Sequence, residues 1–260
     1  MKAPLLSFIL LGISPALVAQ PLASRLDQVI ERGQLQVCTT GDYKPYSYLR
    51  GDGRYEGIDI DMARSLAHSL GVEVQWVATS WKTLMPDFLG NRCDIAMGGI
   101  SVSLERQKKA AFSQALGVDG KIPLVRCEDQ ALYQTVEQIN QASVRVIEPV
   151  GGTNEIFART YLPKATLTLY ADNVTIFQQL LEKNADVMIT DASEALYQQK
   201  HTPGVCAVNP ERPMQYSEKA YLLPRDDIAW KNYVDQWLHL NKATGFHEQV
   251  VARWLAQPMH

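Results

Sequence analysis

Three loops of this 260-residue chain carry side chains that can bind an anion or hand over a proton. Each lies where an apolar run ends and a helical run begins, the place where open α/β sheets present loops to ligands. The first is Gly151-Gly152-Thr153-Asn154, which follows an apolar run ending at Val150. Free N–H groups at a helix start bind anions. No lysine follows and the Walker pattern is absent, so a carboxylate suits this loop better than a nucleotide. A plain turn with Asn154 as N-cap accounts for the same residues. The second loop runs from Ser101 through Ser103 to Arg106. Ser103 is a natural N-cap, which puts Arg106 in the first turn, where a cation opposes the helix dipole. Such a cation calls for a partner, either a ligand carboxylate gripped by two parallel hydrogen bonds or an acid such as Glu105. The third loop is Thr190-Asp191-Ala192-Ser193-Glu194. Asp191 with Glu194 three residues on fits a capping box, and a proton-handling Glu194 is the competing reading. Tyr43, Tyr46, Tyr48 and Trp81 also follow strand-like runs, where a flat ligand can pack on them. Each suits the core equally well.

The elements that must hold these loops alternate regularly. A helix at 26–31 precedes strands at 35–39, 73–78 and 94–98, which alternate with helices at 58–70, 81–89 and 104–111. A strand at 122–127 leaves this unit. A second alternation follows, with strands at 144–149, 166–170, 186–190 and 206–208 and helices at 154–161, 174–183 and 193–199. A last strand at 219–223 leads into helical sequence. Regular alternation with short connections predicts a mainly parallel sheet and an α/β fold. Two half-size units predict two lobes with a ligand cleft between them: lobe 1 from 26–121 and 219–257, lobe 2 from 122–218.

Residues 1–19 read as an export signal, with Lys2, the apolar run Leu5 to Leu11 and small residues at Ala16 and Ala19. Cleavage is expected after Ala19. Pro4 and Pro15 bracket a segment shorter than the roughly 20 residues of a membrane span, and no later stretch is apolar enough to cross a bilayer. The expectation is a soluble mature chain with no membrane partner. The formal charge is −3 and loses one cation, Lys2, with the leader; no basic patch points to nucleic acid. Of four cysteines, Cys127 and Cys206 flank the second unit and suit a disulfide in an oxidising compartment. Cys38 and Cys93 lie in apolar runs and read as buried thiols. The five histidines lack metal-ligand spacing, and HExxH, GxSxG and GxGxxG are absent, so no metal or cofactor is expected.

Longer strings carry a resemblance. They are ThrThrGlyAspTyrLysProTyrSerTyr (39–48), ThrSerTrp (79–81), IleAlaMetGlyGlyIleSer (95–101), GlyGlyThrAsnGlu (151–155), AspAsnValThrIlePheGlnGln (172–179) and GluLysAlaTyrLeuLeuProArg (218–225). Over residues 26–255 the chain resembles the polar amino-acid family of extracytoplasmic solute-binding proteins, and within it the cyclohexadienyl dehydratases. The resemblance implies a two-lobed periplasmic-binding-protein-like fold, a periplasmic location and a cofactor-free reaction. That reaction is decarboxylative dehydration of prephenate to phenylpyruvate and of arogenate to phenylalanine. It further implies that Glu194 is the general acid, with Trp81 and Asn154 beside it, and that Arg106 binds a carboxylate. Tyr43, Ser101, Thr153 and Lys219 match cleft positions. Ser193 stands where an apolar residue is expected, and Tyr46 replaces a phenylalanine. A non-catalytic binding protein serving an ABC transporter would share the fold, the export signal and the anion loops; the strings around Trp81, Asn154 and Glu194 favour the enzyme.

Overall fold

The computed structural model describes residues 24–259, and the leader expected at 1–19 lies outside them. The first unit contains β1 (Gln34–Thr39), β2 (Asp42–Tyr43), β3 (Ser47–Leu49), β4 (Tyr55–Glu56), β5 (Glu73–Ala78), β6 (Ile95–Ala96) and β7 (Ala111–Phe112), with helices α1 (Arg25–Arg32), α2 (Ile58–Leu70), α3 (Leu84–Leu89) and α4 (Leu104–Gln107). The second contains β8 (Gly117–Arg126), β9 (Arg145–Pro149), β10 (Thr166–Tyr170), β11 (Val187–Asp191), β12 (Val205–Ala207) and β13 (Gln215–Lys219), with α5 (Val136–Ile139), α6 (Gly152–Tyr161), α7 (Ile176–Leu181) and α8 (Ala192–His201). The chain closes with β14 (Leu222–Leu223), α9 (Ile228–Ala243) and α10 (Phe246–Ala256).

Two sheets result. The first has the order β5-β1-β6-β14-β7 and the second β10-β9-β11-β8-β12, with β13 also paired to β8. In the first, β1 runs parallel to both neighbours and is covered on both faces, which is why its sequence reads as an apolar run rather than an alternation. Val29, Leu35, Met62, Leu66, Trp230 and Leu238 pack α1, α2 and α9 against one face, and Leu84 and Phe88 of α3 cover the other. Separate clusters around Ile122, Ile176 and Met188 and around Val146, Phe157 and Ile189 form the core of the second sheet. Two independent cores, each under its own sheet, make two lobes.

Three expectations are corrected. Both sheets are mixed, because β14 runs antiparallel to β6 and β7 in the first and β8 enters antiparallel to β11, β12 and β13 in the second. The strand expected at 219–223 is two strands, β13 in the second sheet and β14 in the first, so the chain changes lobe within it. β8 and β13 pair from Gly117 opposite Lys219 to Lys121 opposite Gln215, which makes the connection a two-stranded ribbon. Cys38 and Cys93 are bonded to each other, not free thiols, with Cα atoms 5.6 Å apart. Cys38 lies on β1 and Cys93 immediately before β6, its parallel neighbour; apolar sequence on both strands hides that adjacency. The second bond joins Cys127 to Cys206.

Candidate active site

The candidate residues meet between the two sheets, ordered from the mouth of the cleft inward. At the mouth, a space of about 680 Å³ is bounded by Trp81, Ser101, Arg106, Lys121 and Thr153 among others. Ser103 caps α4 by accepting the Arg106 N–H at 3.3 Å, and the Arg106 guanidinium donates to the Ser101 carbonyl at 2.7 Å. Burial draws the Arg106 pKa down to about 10, partly offset by Asp191, so the guanidinium stays charged near neutrality. Glu105 pairs instead with Lys108 at 2.7 Å, which removes the simple surface ion pair as the partner of Arg106.

Further in, Tyr43, Trp81, Ser101, Thr153, Asn154 and Asp191 close on a space of only about 20 Å³, room for about one water. Trp81 meets Tyr43 edge-on with ring centroids 5.4 Å apart. The Gly151-Gly152 pair works here by close approach. Gly151 has φ +80°, and a Cβ there would lie 2.8 Å from the Lys82 backbone nitrogen across the cleft. Its N–H donates to Glu155 Oε2 at 2.6 Å. The helix starts at Gly152 with Gly151 as N-cap, so Asn154 is a first-turn residue rather than the cap.

The inner wall is ionic. Asp191 accepts from Lys121 at 2.9 Å, from Lys219 at 2.5 Å and from the Tyr43 hydroxyl at 2.6 Å. Burial alone would raise its pKa, but the two ammonium groups hold it well below the usual carboxylate range. Lys219 also donates to Ser101 Oγ at 3.0 Å and Tyr43 at 3.2 Å, so it braces cleft residues from behind. Lys121 also donates to Asn154 Oδ1; Asn154 Nδ2 donates to Thr190 Oγ1 at 3.3 Å; Thr190 donates to Glu194 Oε2. Glu194 therefore stands at the end of a row of donors all pointing the same way, one residue behind the cleft wall.

Glu194 is 1% exposed. Burial pushes its pKa up to about 8, with Asp191 adding to the rise and Thr190 and Lys219 opposing it. The capping-box geometry is absent: the Asp191 side chain makes no cap hydrogen bond, and the Glu194 side-chain bond goes to Thr190. The Ser193 hydroxyl next door is engaged by Asp119 Oδ2 at 2.5 Å. Sequence reading missed Lys121 and took Asp191 only for a helix cap. A lysine inside β8, a strand otherwise buried from Asp119 to Arg126, was the available signal, since lysine is almost never fully buried without a partner.

Residues 35–257 match the model of the bacterial extracellular solute-binding proteins, family 3. The cyclohexadienyl dehydratase of Pseudomonas aeruginosa is 52% identical over 236 residues, 91% of this chain and 88% of that one. The L-cystine-binding protein TcyJ of Escherichia coli is 30% identical over 72% of this chain and 69% of its own. Among solved structures, an ancestral amino acid-binding protein, a precursor of cyclohexadienyl dehydratase, shares 33% identity at a TM-score of 0.82, covering 90% of this chain and all of its own. An ancestral cyclohexadienyl dehydratase shares 52% identity at a TM-score of 0.58, covering 92% of this chain and 99% of its own. With the two-sheet fold and the interlobe cleft, these matches establish that the chain belongs to family 3 of the bacterial extracellular solute-binding proteins.

Proposed function

We infer that this protein is a cyclohexadienyl dehydratase, converting prephenate to phenylpyruvate and arogenate to phenylalanine. The observation that carries the reading is Glu194, a buried carboxyl whose pKa is raised to about 8, joined through Thr190 to Asn154 behind a cleft that holds Arg106 and Lys121. Prephenate has two carboxylates and a ring hydroxyl. As the ring carboxylate leaves as carbon dioxide, its bonding pair enters the ring; the C–O bond breaks, and the departing oxygen takes a proton to leave as water. The chain must bind anions, shield the ring and supply that proton. Arg106, Lys121 and the α6 start serve the first need, and Tyr43 and Trp81 the second. Glu194 serves the third, its Oε2 held by Thr190 while its other oxygen gives the proton to the substrate hydroxyl. At neutral pH most of it carries its proton, and the donor row from Lys121 through Asn154 and Thr190 stabilises the carboxylate left behind.

A space of about 20 Å³ does not admit a substituted cyclohexadiene, so turnover requires the lobes to part and close again. The higher identity but lower TM-score with the ancestral dehydratase supports mobile lobes, since a changed angle between two similar lobes lowers a whole-chain score. The moving units proposed are 26–121 with 219–257, and 122–218. Family membership and the two disulfides support export, and we propose the periplasm as the location. The test is direct: purified protein is mixed with prephenate and phenylpyruvate is followed by absorbance. Tight binding of an amino acid with no turnover would return the chain to the transport receptors.

A further inference from the structure

Each turnover leaves Glu194 one proton short, and the structure holds a second approach to it. Away from the cleft mouth, a pocket of about 350 Å³ is lined by Glu194 together with Asp42, Lys44, Asn173, Gln178 and Gln198. Asn173 also lines the inner cleft, so the two spaces meet at its side chain, whose Nδ2 donates to the Asp42 carbonyl at 3.0 Å. Thr175 and Gln178, at the pocket's rim, are exposed, so the pocket reaches solvent. Among the described residues, Asp42 Oδ1 and Asn173 Oδ1 are buried with no hydrogen-bond partner. Buried polar atoms are normally satisfied by protein or by ordered water, and a polar pocket of this size accommodates water.

We propose that this rear pocket is the route by which Glu194 regains its proton from solvent, with Asp42 as the relaying carboxyl. The proposal rests on the dehydratase reading. Glu194 gives its proton to the leaving oxygen and becomes a carboxylate. Asp42 in its acid form passes a proton through pocket water to Glu194 and is itself reprotonated by bulk water, so one solvent proton enters for each water formed. Through the rear pocket Glu194 regains its proton while the cleft is still closed over the product, without waiting for the lobes to part. Burial raises the Asp42 pKa, with the polar neighbours Thr40 and Trp81 opposing the rise and the Asp172 charge reinforcing it, which favours the acid form at the relay. The charged groups acting on Glu194 are Asp191, Lys219 and Asp42, with Glu148 beyond them; Lys44 shares the pocket with Asp42.

The test is rapid mixing of Asp42→Asn with prephenate at pH 7. Glu194 enters the first cycle already protonated, so the first turnover should run near the wild-type rate. Later turnovers should slow at least about 10-fold, giving a burst of one product per site. Formate, a small acid able to enter the pocket, should restore the steady-state rate. Asp42→Glu, which keeps a carboxyl, should largely abolish the burst. If Asp42→Asn fails to fold by circular dichroism, Val174→Phe, which narrows the same pocket without altering a charge, should show the burst instead. A first turnover slowed as much as later ones, or an unchanged steady state, overturns the relay. Wild-type protein that does not convert prephenate overturns the dehydratase reading, and the relay with it.

Discussion

Replacing Glu194 by glutamine keeps the shape of the side chain and its ability to accept from Thr190, while removing the proton it can give. A positioned general acid contributes about 10² to 10⁴ in rate, so kcat should fall by at least about 100-fold, on the order of 3 kcal/mol of barrier, with KM changed little. Stability should move the other way with pH. The Glu194 pKa rises from an ordinary 4.5 to about 8 in the folded chain. Below 4.5 both folded and unfolded states hold the proton, and the group is neutral in its effect. Between 4.5 and 8 only the unfolded state ionises and gains, so native stability falls as pH rises. Above 8 the loss is complete. At about 1.4 kcal/mol per pH unit the full loss is on the order of 5 kcal/mol, and Glu194→Gln escapes it. The variant should therefore be nearly inactive, about as stable as wild type at pH 4.5, and several kcal/mol more stable at pH 9. Steady-state kinetics on prephenate and urea melts at both pH values measure this. Wild-type kcat itself should decline as pH rises through about 8. Near-normal turnover by Glu194→Gln, or equal stabilities at pH 9, would refute the assignment of a buried, protonated acid.

Arg106→Ala should raise KM by about 10- to 100-fold, the worth of a charge-assisted hydrogen bond, with a smaller effect on kcat; an unchanged KM would place Arg106 outside the substrate's reach. Lys121→Met should lower kcat by on the order of 10², the usual cost of one preorganised donor, because Asn154 and Asp191 lose their shared partner; full activity would remove the donor row from the mechanism. Both disulfides should be found by peptide mapping of oxidised protein. They join residues 55 and 79 positions apart, each worth about 4 kcal/mol by chain entropy, so full reduction should lower the Tm. Turnover should survive exhaustive chelation without added cofactor, and activity restored only by a metal would contradict the proton-transfer mechanism.

The β-α alternation, the two half-size units and the three loops at strand ends were legible because hydrophobic period records which face of each element is buried, and burial on a sheet is a local repeat. The Ser103 cap that sets Arg106 in a first turn was legible because a cap is a hydrogen bond between residues three apart. Partners brought from far along the chain were not. Cys38 sits on β1 and Cys93 just ahead of its parallel neighbour β6, and parallel pairing leaves no mark in either segment. Asp191 meets Tyr43 from 148 residues away, and Lys121 reaches Asn154 across 33. Gly151 reads as a loop glycine, yet what excludes a side chain there is the opposing lobe at Lys82. Glu194 shows the division most sharply. A spacing of three residues after Asp191 serves a capping box and a buried acid alike. The choice was made by what surrounds the carboxyl: Thr190 and the Asn154–Lys121 row within hydrogen-bond reach, and enough packing to exclude the water that would ionise it. Desolvation is a property of assembled neighbours, and only the tertiary structure supplies them.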